Sequence, residues 1–155
     1  GYSLVRAIVE QSGLGWDDAC PWTDGTLGEV LLTPTRLYVK PALAAAREGM
    51  VHALAHITGG GLTENLPRVL PEGMGATIDL DSWDLPPVFC WLAENGGMQE
   101  DELLKTFNSG IGMIVVVPAE KADDAVKLLS DMGEVVCKMG TVTAQTGVSY
   151  EGNLV

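Results

Sequence analysis

The stretch Val-His-Ala-Leu-Ala-His-Ile-Thr-Gly-Gly-Gly-Leu-Thr-Glu-Asn-Leu-Pro-Arg, residues 51–68, joins an apolar run to a polar segment through three consecutive glycines. The apolar run predicts a strand, and the spacing of apolar residues after the glycines predicts a helix. Glycine has no Cβ, so neighbouring backbone N–H groups can converge on one point. A following helix adds unpaired amides and a positive dipole end. The stretch therefore predicts an anion-binding bend between a strand and a helix.

Polar side chains flank the glycines on both sides. His56 and Thr58 precede them, and Asn65 and Arg68 follow three residues apart, which places that pair on one helical face. An arginine can hold a phosphate through two parallel hydrogen bonds. A glycine triplet before a helix is also typical of a flexible turn, so the triplet alone leaves both interpretations open. Its spacing matches neither a Walker loop nor a dinucleotide-binding loop.

The two histidines of the chain, His52 and His56, share one face of the predicted strand. Their His-x-x-x-His spacing resembles part of a zinc motif, but no Glu follows the first histidine and no third ligand is near in sequence. We therefore predict no metal site. His56, beside the glycines, is a candidate to donate a hydrogen bond to a phosphate or to transfer a proton. A purely structural histidine is the alternative.

Composition describes an acidic globular chain. It has 155 residues, 46% of them hydrophobic, and a formal net charge of -12. This length suits a single domain, residues 1–155, with its own core. The negative charge opposes binding to nucleic acid or to an anionic membrane surface. No apolar stretch is long enough to span a bilayer, and three cysteines without paired spacing suit a reducing compartment, so a cytoplasmic location is expected.

Strand and helix patterns alternate along the chain. A clear helix pattern covers 120–132. Four segments have the length and apolar content of strands: 51–57, 75–80, 113–117 and 134–142. The alternation predicts an α+β fold in which a mixed β-sheet is covered by helices.

A second glycine-containing stretch, Asn-Ser-Gly-Ile-Gly at 108–112, joins a predicted helix at 99–107 to the strand at 113–117. Its two glycines permit another close approach of the backbone. We expect Asn108 to lie in a second wall of the site formed by this stretch.

Five stretches, in the same order along the chain, resemble the aminoimidazole ribonucleotide synthetase family, also called phosphoribosylformylglycinamidine cyclo-ligases. They are Gly-Tyr-Ser-Leu-Val-Arg (1–6), Leu-Leu-Thr-Pro-Thr-Arg-Leu-Tyr-Val-Lys (31–40), the glycine stretch with its flanks (56–71), Pro-Val-Phe-Cys-Trp-Leu (87–92) and Thr-Phe-Asn-Ser-Gly-Ile-Gly-Met (106–113). Such an ordered set is more specific than any one motif. Ser109 departs from the family, which often has Cys there, and this argues against thiol chemistry at the position.

The resemblance implies the family's C-terminal-domain fold, and implies that the chain is the C-terminal half of a longer enzyme whose ATP-binding N-terminal half is absent. The complete enzyme would convert formylglycinamidine ribonucleotide to aminoimidazole ribonucleotide in purine biosynthesis. It would use ATP and Mg²⁺, mainly through that missing half, and would form a homodimer. In the complete enzyme, this domain is expected to contact the N-terminal domain of the same chain. As an isolated domain, it is expected to be inactive and to hold no cofactor.

These arguments predict one site. His56 is the catalytic candidate and no metal ligand is assigned. The residues expected to bind substrate or its phosphate are Thr58, Gly59, Gly60, Gly61, Asn65, Arg68 and Asn108. The alternative hypothesis is a non-enzymatic phosphate-binding or assembly module of the same fold, which would dock a partner through apolar surface near Trp16 and Trp22.

Overall fold

Helices and strands alternate through the computed structural model, which describes residues 1–154. The α-helices in this part of the chain are α1 (Tyr2–Ser12), α2 (Leu27–Leu31), α3 (Val39–Arg47), α4 (Gly61–Asn65), α5 (Pro87–Gly96), α6 (Glu100–Thr106) and α7 (Ala122–Asp131). The strands are β1 (Ala53–His56), β2 (Gly75–Asp79), β3 (Met113–Val116), β4 (Gly140–Thr143) and β5 (Gly147–Glu151). Short 3-10 turns occupy Pro67–Val69, Leu80–Ser82 and Ala119–Lys121. The predicted α+β class is confirmed.

The strands form two small sheets. In the first, β1 pairs antiparallel with β3, from Ala53 opposite Val116 to His56 opposite Met113. In the second, the order is β4-β2-β5, with β2 antiparallel to β4 and parallel to β5. The mixed pairing expected from the sequence therefore lies in the three-stranded sheet, and the first pair stands beside it.

The predicted strand at 134–142 is only partly correct, because pairing begins late. The ladder to β2 starts where the Asp79 amide donates to the Met139 carbonyl at 2.8 Å, and β4 itself begins at Gly140. Before that point Glu134 bonds the Arg36 guanidinium at 2.8 Å and Val135 is fully exposed. Residues 134–138 thus carry the chain from α7 to the edge of β2, and their apolar, β-branched sequence has no strand beside it to pair with.

A first core is built by helices. Its buried members come from α1, α2, α5, α6 and the turns beside them: Val5, Ile8, Val9, Cys20, Leu27, Leu31, Leu92, Ala93, Met98, Leu103 and Phe107. Val5, Ile8 and Val9 recur at helical spacing on α1, as one buried face requires. Gly13, left-handed at φ 78°, ends that helix.

A second core joins strands to helices. It contains Ala55, Ile57, Leu62, Leu66, Ala76, Ile78, Leu80, Leu104 and Ile114. The two cores meet at α6, where Leu103 belongs to the first and Leu104 to the second. Because adjacent residues of a helix point about 100° apart, one short helix can serve both cores. The glycine stretch packs on this helix.

None of the helices in residues 1–154 combines the length and the apolar character that crossing a membrane requires.

Replacing Leu103 by Ala should destabilise the domain by about 2–5 kcal/mol, because the completely buried side chain leaves a cavity in the first core. Urea unfolding followed by circular dichroism measures this loss. Leu37→Ala is the matched control, since the Leu37 side chain is 84% exposed and its removal should change the free energy of unfolding by less than about 0.5 kcal/mol. Equal effects of the two substitutions would contradict the assignment of Leu103 to the core.

Candidate functional site

Residues 58–61, called the glycine bend below, turn the chain from β1 into α4. Gly60 and Gly61 have φ values of 94° and 58°, the left-handed region that glycine enters without strain. Gly59 has ordinary backbone geometry and open space where a Cβ would stand. The predicted order of strand, bend and helix is correct, although α4 is only five residues long.

Gly61 lies against the C-terminal turn of α6. A Cβ on Gly61 would overlap the carbonyl oxygen of Leu104 and would stand 2.7 Å from that of Phe107. Since Asn108 directly follows Phe107, this contact brings the two glycine-containing stretches together. The role expected for Asn108 in the wall of a site stays a prediction. The Asn108 side chain accepts a hydrogen bond from the Gly110 amide at 3.0 Å, which closes a tight turn beside the bend.

Asn65 shapes the bend from within. Its side chain is buried, and its amide nitrogen lies 3.3, 3.1 and 2.8 Å from the carbonyl oxygens of Thr58, Gly59 and Gly61. Its carbonyl oxygen accepts from the Arg68 guanidinium at 3.3 Å. The Asn65 amide is therefore committed to the backbone, and its role in this structure is to hold the bend in place.

Two amides of the bend have no acceptor in residues 1–154. The Gly61 amide donates to the Thr58 carbonyl at 3.0 Å, whereas those of Gly59 and Gly60 donate to no described atom. Gly59 is exposed, and so is Thr58, whose hydroxyl makes no hydrogen bond within the described part of the chain. The bend thus has two backbone donors and one hydroxyl without a partner in residues 1–154.

Glu64, which sequence reasoning missed, lies over the bend. Its Oε2 stands 2.5 Å from the position a Gly60 Cβ would take, and it pairs with Arg68 Nη2 at 3.4 Å. Both side chains of that ion pair are more than half exposed, so the pair adds little stability. A carboxylate at this position opposes an incoming anion until its side chain rotates away. The i,i+4 spacing of Gly60, Glu64 and Arg68 was a signal for this arrangement.

His56 ends β1 with an exposed side chain, beside an aromatic ring. The Tyr38 ring stands edge-on to the imidazole with 6.1 Å between centroids. Burial, followed by the negative charge of Glu134, raises the pKa of the Tyr38 phenol above its ordinary value. Its hydroxyl rests on the Cα of Gly112, where any larger residue would overlap it. With Met113, both side chains line a cavity of about 240 Å³.

Ser109 occupies the centre of the second glycine-containing stretch. It is completely buried, and it has a φ of 51°, the one left-handed residue other than glycine in the described chain. Its hydroxyl has no hydrogen-bond partner within residues 1–154, while its carbonyl accepts from the Trp83 indole at 2.9 Å. The backbone of Ser109 is therefore held by a hydrogen bond, whereas its hydroxyl makes none within the described residues.

A comparison with protein families bears directly on this geometry. The family described as "AIR synthase related protein, C-terminal domain" matches residues 1–153. The chain belongs to this family. The match includes the glycine bend, the 108–112 stretch and all residues predicted for the site, and it confirms the resemblance on which the sequence-based function rests.

In this AIR synthase related domain the C-terminal strand, β5, supports α4 through a contact between two side chains. The Thr63 hydroxyl lies 2.8 Å from the Tyr150 hydroxyl of β5 and 3.4 Å from the Leu104 carbonyl. Burial raises the pKa of the Tyr150 phenol, and its hydrogen bond with Thr63 lowers it by less. Sequence reasoning missed Tyr150 because its partner lies 87 positions away, and no local pattern marks the pair.

The acidic turn after β2 and the tryptophans Trp16 and Trp22 lie outside the glycine bend. Asp79 and Asp81 accept hydrogen bonds from the backbone amides of Asp81 and Asn153, and the part of the chain that the structure describes contains no cluster of acidic, histidine or cysteine side chains able to hold a metal. Trp22 packs against Trp91 with 5.3 Å between ring centroids. Trp16 is 45% exposed.

Gly61→Ala should destabilise the domain by more than about 2 kcal/mol, because the left-handed backbone alone costs about 1–2 kcal/mol for an L-residue and the new methyl group would meet the Leu104 carbonyl. Thermal and urea unfolding measure the change. Gly59→Ala is the matched control, with free space around its Cα and no positive φ. If both variants proved equally stable, Gly61 would not be in contact with α6.

Proposed function

We propose that this chain is the substrate-binding C-terminal half of an ATP-dependent cyclo-ligase, which converts formylglycinamidine ribonucleotide to aminoimidazole ribonucleotide in purine biosynthesis. The family match over residues 1–153 carries the proposal. The glycine bend is the part of the domain best suited to an anionic group of the ribonucleotide, because it offers the unpaired amides of Gly59 and Gly60 next to a cationic side chain.

Binding of the anion would exchange one ion pair for another. In the free domain Arg68 is shared between Glu64 and Asn65. A phosphate at the bend would draw Arg68 towards itself and displace the Glu64 carboxylate, since a dianion with three acceptor oxygens competes well for a guanidinium. Thr58 would contribute its hydroxyl from the strand side. Asn65 would keep the bend in shape, and Asn108 would bound the site from the second glycine-containing stretch.

The proposed reaction is a ring closure in which ATP phosphorylates the amide oxygen of the substrate, an internal amine then attacks the activated carbon, and phosphate leaves. A domain that holds the ribonucleotide rigidly helps because both reacting groups belong to one molecule, and their correct placement supplies much of the rate. Donor groups directed at the developing negative charge would assist further. His56 is proposed as the residue that transfers a proton, and Tyr38 orients its ring.

The described residues do not fit Mg²⁺, since they contain no suitable acidic cluster. We therefore assign Mg²⁺ and most ATP contacts to the proposed N-terminal half. Exposed apolar side chains suit a contact with that half: between the end of α2 and the start of α3, Leu32, Leu37 and Val39 are 80%, 84% and 70% exposed. A homodimer of the complete enzyme and a cytoplasmic location belong to the same proposal.

Calorimetric titration of the domain with formylglycinamidine ribonucleotide and, separately, with ATP tests the proposal. We expect the ribonucleotide to bind and ATP to bind at least tenfold more weakly. Arg68→Gln should weaken ribonucleotide binding about tenfold or more, the usual worth of a hydrogen-bonded charge. Arg47→Gln, which removes an exposed charge on α3 without an ion pair among the described residues, should leave the affinity unchanged.

Preferential binding of ATP would contradict the assignment of this half to the ribonucleotide. Unchanged affinity in Arg68→Gln, with the ribonucleotide still bound, would instead move the anion site away from the glycine bend and leave the family-based function standing.

A further inference from the structure

The Glu64 side chain lies against the glycine bend along its length. A Cβ on Gly60 would stand 2.5 Å from Glu64 Oε2, 2.9 Å from its Cβ and 3.0 Å from its Cδ. Unbonded atoms do not approach one another so closely, so the carboxylate takes this position only because Gly60 has no side chain. A negative charge therefore lies over the Cα atom of Gly60, whose amide has no acceptor in residues 1–154.

Arg68 is held at the bend by two partners. Its Nη2 lies 3.4 Å from Glu64 Oε2, and its Nη1 lies 3.3 Å from Asn65 Oδ1. The Asn65 amide in turn donates to carbonyls of the bend, so the second contact keeps the guanidinium beside the bend. One positive and one negative side chain thus lie together there, and in the free domain each balances the charge of the other.

The Glu64 carboxylate does not take the place of a bound phosphate. Within residues 1–154 it accepts a hydrogen bond from Arg68, and the amides of Gly59 and Gly60 stay unpaired beside it. Like charges a few ångströms apart repel one another even where water surrounds them. An anion that approaches these amides is therefore attracted by Arg68 and repelled by Glu64, and it gains Arg68 fully only when the carboxylate has released it.

The ion pair is built so that it can open. The Arg68 and Glu64 side chains are 63% and 60% exposed, and exposed ion pairs of this kind add little to stability. The carboxylate can consequently rotate into solvent while Asn65 still holds the bend. An effect of Glu64 on ligand affinity is accordingly expected to be several-fold, and its removal should leave the fold intact.

We infer that Glu64 is an autoinhibitory residue of the glycine bend, whose carboxylate competes with the anionic group of the ligand for Arg68 and so lowers the affinity of the site. This inference rests on the ribonucleotide site proposed above and adds a direction to it. An acidic residue that bound a hydroxyl of the substrate would strengthen binding, and its neutralisation would weaken it. Neutralising Glu64 should have the opposite effect.

The test is calorimetric titration of the complete chain with formylglycinamidine ribonucleotide at low salt. Glu64→Gln keeps the length of the side chain and removes its charge, and it should bind the ribonucleotide about fivefold more tightly, the size of effect that an exposed ion pair can have. Glu10→Gln is the matched control, because Glu10 is an exposed acid on α1 and its loss changes the net charge equally. It should leave the affinity unchanged. Melting temperatures show that both variants are folded.

A double variant separates competition for Arg68 from repulsion through space. In the Arg68→Gln background no guanidinium is left to release, so adding Glu64→Gln should change the affinity by less than about twofold, a clear departure from additivity. The gain in the single variant should also shrink in about 1 M salt, where the screening length is only about 3 Å. The same fivefold gain in the Arg68→Gln background would overturn the competition.

Failure of the inference and failure of the site give different results. Unchanged or weaker binding by Glu64→Gln, while Arg68→Gln still weakens binding, overturns the inference and leaves the proposed site standing. If the ribonucleotide does not bind, inorganic phosphate is titrated and the amide signals of Gly59 and Gly60 are followed by nuclear magnetic resonance. Glu64→Gln should then reach half of the signal shift at a several-fold lower phosphate concentration. No shift in either protein overturns the site and the inference together.

Discussion

The architecture depends on the close approach of one glycine to the end of one helix. Gly61 lies so near the Leu104 and Phe107 carbonyls that no side chain fits between them. This contact fixes α4 against α6, and it also fixes where β1 ends and where the 108–112 stretch begins. Both glycine-containing stretches are consequently held at one place by backbone atoms, whose positions vary far less than those of long side chains.

The contact also explains why the site lies where the two cores meet. Leu103 and Leu104 anchor α6 in separate hydrophobic clusters, so the helix cannot shift without disturbing both. Tyr150, from the far end of the chain, bonds Thr63 and completes the support of α4. The bend itself is therefore preorganised. Within residues 1–154 the Gly59 and Gly60 amides have no acceptor, and the Arg68–Glu64 pair beside them is exposed. A binding site built this way loses little entropy when a ligand arrives.

Local features were predictable from the sequence because they depend on neighbouring residues. The helix expected at 120–132 is α7, and the bend follows a strand at the expected position. Features set by distant contacts were not predictable: the division into two sheets, the late start of β4 and the support from Tyr150 each depend on residues far apart in the chain. Asn65 illustrates the limit well. Its spacing from Arg68 marked it as a ligand donor, yet burial beneath the bend turned its amide inward to three carbonyls.

Because the Ser109 hydroxyl makes no hydrogen bond within residues 1–154, position 109 should accept other small side chains. A buried hydroxyl without a partner forfeits the hydrogen bonds it makes in water, whereas a thiol, which bonds water weakly, forfeits little. The buried surroundings of Ser109 thus require a small side chain but not a polar one. A cysteine is therefore expected to replace the serine at this position with little loss of stability, because the carbonyl contact of residue 109 with the Trp83 indole does not involve the side chain.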